Sequence, residues 1–106
     1  MRWLTITAAA LALAGLGAGP ALANPEAAMG KAGCTACHTK DKKLVGPSFR
    51  DIAGKYKGQA DAVGGLSAKV RAGGKGVWGP IPMSPNPPDK ISDADLKAAV
   101  EWILQQ

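Results

Sequence analysis

Cys34-Thr35-Ala36-Cys37-His38 decides how this chain folds. These five residues hold both cysteines and the single histidine of the 106-residue sequence. Two thiols separated by two residues, with an imidazole directly after them, form the C-x-x-C-H signature of covalent haem attachment. Each thiol adds across one haem vinyl group, and the two intervening residues let both sulfurs reach the same porphyrin. The next side chain then presents its imidazole to the iron as the proximal ligand. Other readings of the pair explain less. A thioredoxin-like redox pair calls for a βαβ pattern, and no strand pattern surrounds these residues. A structural zinc site needs four ligands, and a second pair is missing. A disulfide across two residues closes too small a loop to stabilise much, and it leaves His38 without a role. Export does not discriminate, because covalent haem attachment and disulfide formation both take place outside the cytoplasm.

A haem iron held by His38 alone keeps an open position, and closing it needs a second donor from elsewhere in the chain. There is no other histidine, and Met1 belongs to the leader described below. Met29 lies nine residues before His38 on the same segment, too near to reach the opposite face of a porphyrin. Met83, 45 residues downstream, is the remaining thioether. It lies in Gly79-Pro80-Ile81-Pro82-Met83-Ser84-Pro85-Asn86-Pro87-Pro88, where five prolines fall between positions 80 and 88. Proline fixes φ and lowers the entropy lost on folding, so this stretch reads as a stiff loop able to hold a weak ligand. Read without the haem motif, the same stretch is a proline-rich surface linker or polyproline ligand with Met83 packed beneath it.

At the N-terminus, Arg2 precedes an uncharged run from Trp3 to Ala18, Gly19-Pro20 breaks it, and Ala21-Leu22-Ala23 has the A-x-A form of a cleavage site. Residues 1–23 are therefore expected to be a cleaved signal peptide, with residues 24–106 the monohaem domain. An uncleaved anchor is the alternative, although the run is short of the ~20 residues a spanning helix needs. The domain is 83 residues long, a size that usually requires a cofactor, metal or disulfide to complete its core. It carries 12 basic and 8 acidic residues, net +4, spread without a block of like charge. That pattern argues against nucleic acid as a partner and fits steering toward acidic proteins.

The apolar spacing predicts four helices and no strand. The first covers 25–37, with Pro25 in its first turn and the haem motif at its end. Leu44-Val45-Gly46-Pro47 is a turn. The second helix covers 48–57, with Ser48 as N-cap and Phe49, Ile52, Ala53 and Tyr56 on one face. The third covers 61–72, with Val63, Leu66 and Val70 on one stripe, weakened by Gly64-Gly65 and stopped by Gly73-Gly74. The last opens on Ser92 and Asp95 in a capping-box pattern, with Leu96, Ala99, Val100 and Ile103 in helical rhythm and Trp102 beside them. The fold class is all-α, with helices wrapped round one haem.

Taken together, these segments resemble the class I cytochromes c, above all the small bacterial cytochrome c-551/c-552 (c8) group. The resemblance spans essentially all of residues 24–106 and rests on Cys34–His38, Leu44–Pro47, Gly76-Val77-Trp78-Gly79-Pro80-Ile81-Pro82-Met83 and the helix carrying Trp102. It implies that the Pro47 carbonyl accepts the second ring N–H of His38, and that Asn86 donates to the Met83 sulfur. It also implies that the Trp78 indole reaches a haem propionate and that Lys69 lies near the propionates, plain core packing being the alternative for Trp78 and a plain solvated helix face the alternative for Lys69. One departure is visible: Met83-Ser84-Pro85-Asn86 stands where the family usually has Met-Pro-Pro-Asn.

The resemblance further implies haem c bound through Cys34 and Cys37, His38 and Met83 on the iron, and a periplasmic one-electron carrier that is not an enzyme. Its expected partners are protein redox enzymes: a quinol-oxidising complex upstream, and a terminal oxidase, nitrite reductase or peroxidase downstream. A monomer, peripheral to the membrane at most, is expected. Lys31, Lys40, Lys42 and Lys43 flank the motif and either ring the exposed haem edge or serve only as solubilising charge.

Overall fold

Asn24 opens the first helix in the computed structural model, which describes residues 24–106; the signal-peptide expectation lies outside the described residues. The Asn24 side chain accepts from the Ala27 N–H at 3.2 Å, and Pro25 occupies the first helical position, where its missing N–H costs nothing. This helix, α1, runs Pro25–Ala32. It stops five residues earlier than the spacing predicts, because Gly33 adopts φ 91°, the left-handed conformation that ends helices, and its N–H returns to Gly30 at 3.2 Å. The haem motif lies beyond that stop, on a 3₁₀ turn over Cys34–Ala36.

The other helices match their expected places to within a residue or so. Helix α2 is Phe49–Tyr56, capped by the buried Ser48 hydroxyl, which accepts from Asp51 N–H at 3.1 Å. Helix α3 is Ala62–Ala72 and continues through Gly64-Gly65. Helix α4 is Asp93–Leu104, with the Ser92 hydroxyl accepting from Asp95 N–H at 3.2 Å and two aspartates in its first turn, where the helix dipole favours them.

Two strands stand where none was expected. β1, Gly74–Gly76, pairs antiparallel with β2, Gly79–Met83, matching Gly74 to Met83 and Gly76 to Gly79 with an irregular register. The hairpin is built largely of glycine and proline and is mostly exposed, so no apolar alternation marks it in the sequence. Prolines are tolerated here because a two-stranded ribbon has only edges.

Helix α4 packs against α1, α2 and α3 and organises the core. Met29, Ala32, Phe49, Ile91, Leu96, Ala99 and Val100 are buried together, with Val63, Leu66, Val70, Trp102 and Ile103 half-buried against them. Among the described residues no helix is long and apolar enough to cross a membrane.

Candidate functional site

The segment after the 3₁₀ turn folds back on itself and fixes His38. The His38 N–H donates to the Cys34 carbonyl at 3.0 Å, and the Gly46 N–H donates to the Cys37 carbonyl at 2.8 Å. Thr39 ties the loop through its hydroxyl, which donates to the Lys42 carbonyl at 2.5 Å and accepts from the Lys42 N–H at 3.1 Å. Phe49 N–H and Arg50 N–H then donate to the Thr39 and Lys40 carbonyls, fastening the loop to the start of α2. Pro47 is thereby brought under the imidazole. Its carbonyl lies 2.7 Å from His38 Nδ1, and since a carbonyl only accepts, Nδ1 carries the proton and Nε2 keeps its lone pair.

Two neighbours hold the ring plane. A Cβ on Gly46 would stand 2.6 Å from His38 Cε1, so only glycine leaves room for the imidazole. Phe49 stacks on the ring with centroids 5.6 Å apart and planes at 24°, and Trp102 meets Phe49 edge-on at 5.5 Å and 84°. The spacing puts Phe49 on an apolar helix face and Trp102 beside another, but does not reveal that they form a train of rings ending on His38.

A cavity of about 610 Å³ opens beside the imidazole, within the ~300–1,000 Å³ typical of cofactor-sized pockets. Every candidate site residue lines it: Cys34, Cys37, His38, Pro47, Lys69, Trp78, Met83 and Asn86. Ile52, Leu66, Val70, Leu96 and Val100 supply much of its apolar wall. Both cysteines are unpaired and half-buried, and burial pushes the Cys34 thiol above its ordinary pKa. Among the described residues no three His, Cys, Asp or Glu side chains converge as a purely protein-held metal site requires.

Several side chains refine the expectations. Trp78 lines the cavity with its side chain partly exposed, and Lys55 Nζ lies 5.8 Å from its ring centroid. Asn86 is buried, and its Nδ2 donates to the carbonyls of Val70 at 3.2 Å and Ser84 at 3.0 Å. Both amide hydrogens thus brace the loop, and a bond to the Met83 sulfur requires one of them to be released. Of Lys31, Lys40, Lys42 and Lys43, only Lys43 lines the cavity, whereas Lys75 and Lys90, which sequence reasoning passed over, line it too.

The donor set suits a covalently held haem: two thiols, an imidazole with a free Nε2 and a thioether border one largely apolar cavity. The family model for cytochrome c matches residues 22–106. The chain belongs to the cytochrome c family. Within it, this cytochrome is 54% identical over 72 residues to cytochrome c-551 of Azotobacter vinelandii, covering 68% of this chain and 84% of that one. Cytochrome c-552 of Nitrosomonas europaea is 47% identical over 103 residues, covering 96% of this chain and 93% of the relative. The crystal structure of wild-type cytochrome c552 from the same organism superposes with a TM-score of 0.69 at 47% identity, over 74% of this chain and 95% of that one. The architecture is the class I cytochrome c fold of the c-551/c-552 group, and the cofactor is haem c. This cytochrome is a small c-type haem electron carrier.

Proposed function

We propose that this cytochrome is a soluble periplasmic carrier of single electrons, with His38 and Met83 as its two axial ligands. The haem, when bound, supplies a one-electron change between ferric and ferrous iron, and thioether ligation with burial favours the ferrous state. Cys34 and Cys37 would keep the group covalently attached to a domain too short to bury much of its own surface. His38 is oriented by Pro47, Gly46 and Phe49, which would hold its Nε2 in place as a ligand to the iron. Met83 would hold the iron from the other side, which would exclude small-molecule substrates and favour electron exchange over catalysis. Trp78 and Lys69, both on the cavity lining, are the side chains suited to the propionates.

The single observation that carries this reading is the meeting of Met83 with Cys34, Cys37 and His38 on one cavity, although 45 residues separate Met83 from His38. The signal-peptide pattern supports a periplasmic location. Electrons then pass between protein partners: a quinol-oxidising complex as donor, and a terminal oxidase, nitrite reductase or peroxidase as acceptor. The carrier works as a monomer.

Replacement of Met83 by alanine tests the ligand set. The variant is expected to keep its haem through both thioethers, to bind carbon monoxide when reduced, and to show a lower reduction potential. An optical spectrum and potential unchanged from wild type remove Met83 from the iron.

A further inference from the structure

Arg71, in the last turn of α3, plays no part in the site as described so far. Its guanidinium is about one-fifth exposed and reaches three acceptors in the segment that leaves Met83. Nη1 donates to the Asn86 carbonyl at 3.0 Å and to the Ile91 carbonyl at 2.7 Å, and Nη2 donates to Asp93 Oδ1 at 2.6 Å. The Asp93 carboxylate is almost fully exposed, so the ion pair is screened and contributes little. The two carbonyl bonds, from a charged donor in a sheltered place, carry more of the hold.

The same end of α3 grips the rest of the loop. Asn86 N–H donates to the Val70 and Arg71 carbonyls at 3.1 and 3.3 Å. Gly73, at φ 69°, lies so close that a Cβ there would collide with the Met83 carbonyl oxygen and with backbone atoms of Ser84 and Pro85. On its N-terminal side Met83 is held by its strand pairing with Gly74. On its C-terminal side the hold is Asn86 together with Arg71. Ser84 removes one rigid residue from the stretch between these anchors, which gives the second anchor more to do.

We propose that Arg71 is a positioning residue for Met83: by clamping residues 86–91 to α3 it sets how readily the thioether leaves the iron. The proposal rests on Met83 being the ligand. For Met83 to withdraw, residues 84–86 must lift from α3, and this strains or breaks the bonds from Arg71 to the Asn86 and Ile91 carbonyls.

Cyanide provides the probe, because it binds ferric iron only once the thioether has left. Its limiting association rate at saturating concentration therefore reads the opening of the loop. In the holo-protein, Arg71→Leu is expected to raise that rate by about tenfold or more, equivalent to about 1.4 kcal/mol, and to lower the reduction potential. Asp93→Asn is expected to change the rate by less than about twofold, as for a screened surface pair. If Arg71→Leu does not accumulate, Arg71→Lys, which keeps the charge but loses the fork, is expected to raise the rate by about threefold. Wild type must show the absorption band of a thioether bound to ferric iron. With that band present, an unchanged limiting rate in the Arg71 variants overturns the proposal, whatever happens to global stability. A wild-type protein lacking the band overturns the Met83 assignment instead.

Discussion

Replacing Phe49 by alanine should destabilise the holo-protein more than any other single truncation in α2. Phe49 is buried at the junction of α2 with α4, stacked on His38 at 5.6 Å and met edge-on by Trp102 at 5.5 Å. Truncating a buried phenylalanine costs about 3–5 kcal/mol, from lost transfer free energy and the cavity left behind. Within that figure, each aromatic pair accounts for about 0.5–1.5 kcal/mol beyond area. Phe49→Leu keeps most of the volume and loses both ring contacts, so its cost should be about 1–3 kcal/mol. Guanidinium unfolding of the haem-loaded variants, followed by far-UV circular dichroism, measures both values, and the denaturant slope should stay unchanged. Against a total stability of about 5–15 kcal/mol, the alanine variant remains folded but visibly weakened. A loss below about 1.5 kcal/mol for Phe49→Ala, or a Phe49→Leu variant as stable as wild type, would show that the ring train does not buttress His38.

Two further expectations follow from the cavity. A chain lacking both attachment thiols (Cys34→Ala with Cys37→Ala) should be largely disordered without haem, since the apolar faces of Ile52, Leu66, Val70, Leu96 and Val100 would close on empty space; a cooperative, native-like transition of the apo chain by circular dichroism would refute this. Charge reversal at Lys43 and Lys75, both on the cavity lining, should slow electron exchange with an acidic redox protein and flatten its salt dependence, over a field screened at about 8 Å in physiological salt. Reversal at Lys31 and Lys42, which lie off that lining, should do less, and equal effects in stopped-flow measurements would move the docking face elsewhere.

What could be read from the sequence was whatever is encoded locally. Ser48 and Ser92 mark their helix starts because an N-cap is a bond between a hydroxyl and an N–H three residues on. The motif at Cys34–His38 is equally local, and Met83 stands out as a candidate because so few other donors exist. The end of α1 was misplaced because Gly33 lies directly against Cys34, and the backbone stop that it makes was outweighed by the motif beside it. The hairpin escaped notice because its glycines and prolines pack on nothing that would impose alternation. Arg71 was illegible for another reason: its partners include main-chain carbonyls 15 and 20 residues away, which every residue possesses and no pattern advertises. Lys75 and Lys90 likewise reach the cavity only through the hairpin and the loop before α4.

Methyl-selective NMR of the reduced, diamagnetic holo-protein reads whether Met83 is on the iron. A thioether bound to the iron places its methyl group over the face of the porphyrin, whose ring current moves that resonance far upfield of any ordinary methionine. Met83 and Met29 are the two methionines of the described residues, and both line the cavity, so each serves as the other's control. The extreme upfield methyl is expected to be lost in Met83→Ala and kept in Met29→Leu. An extreme resonance that survives loss of Met83, or a Met83 methyl in the ordinary range, would contradict it.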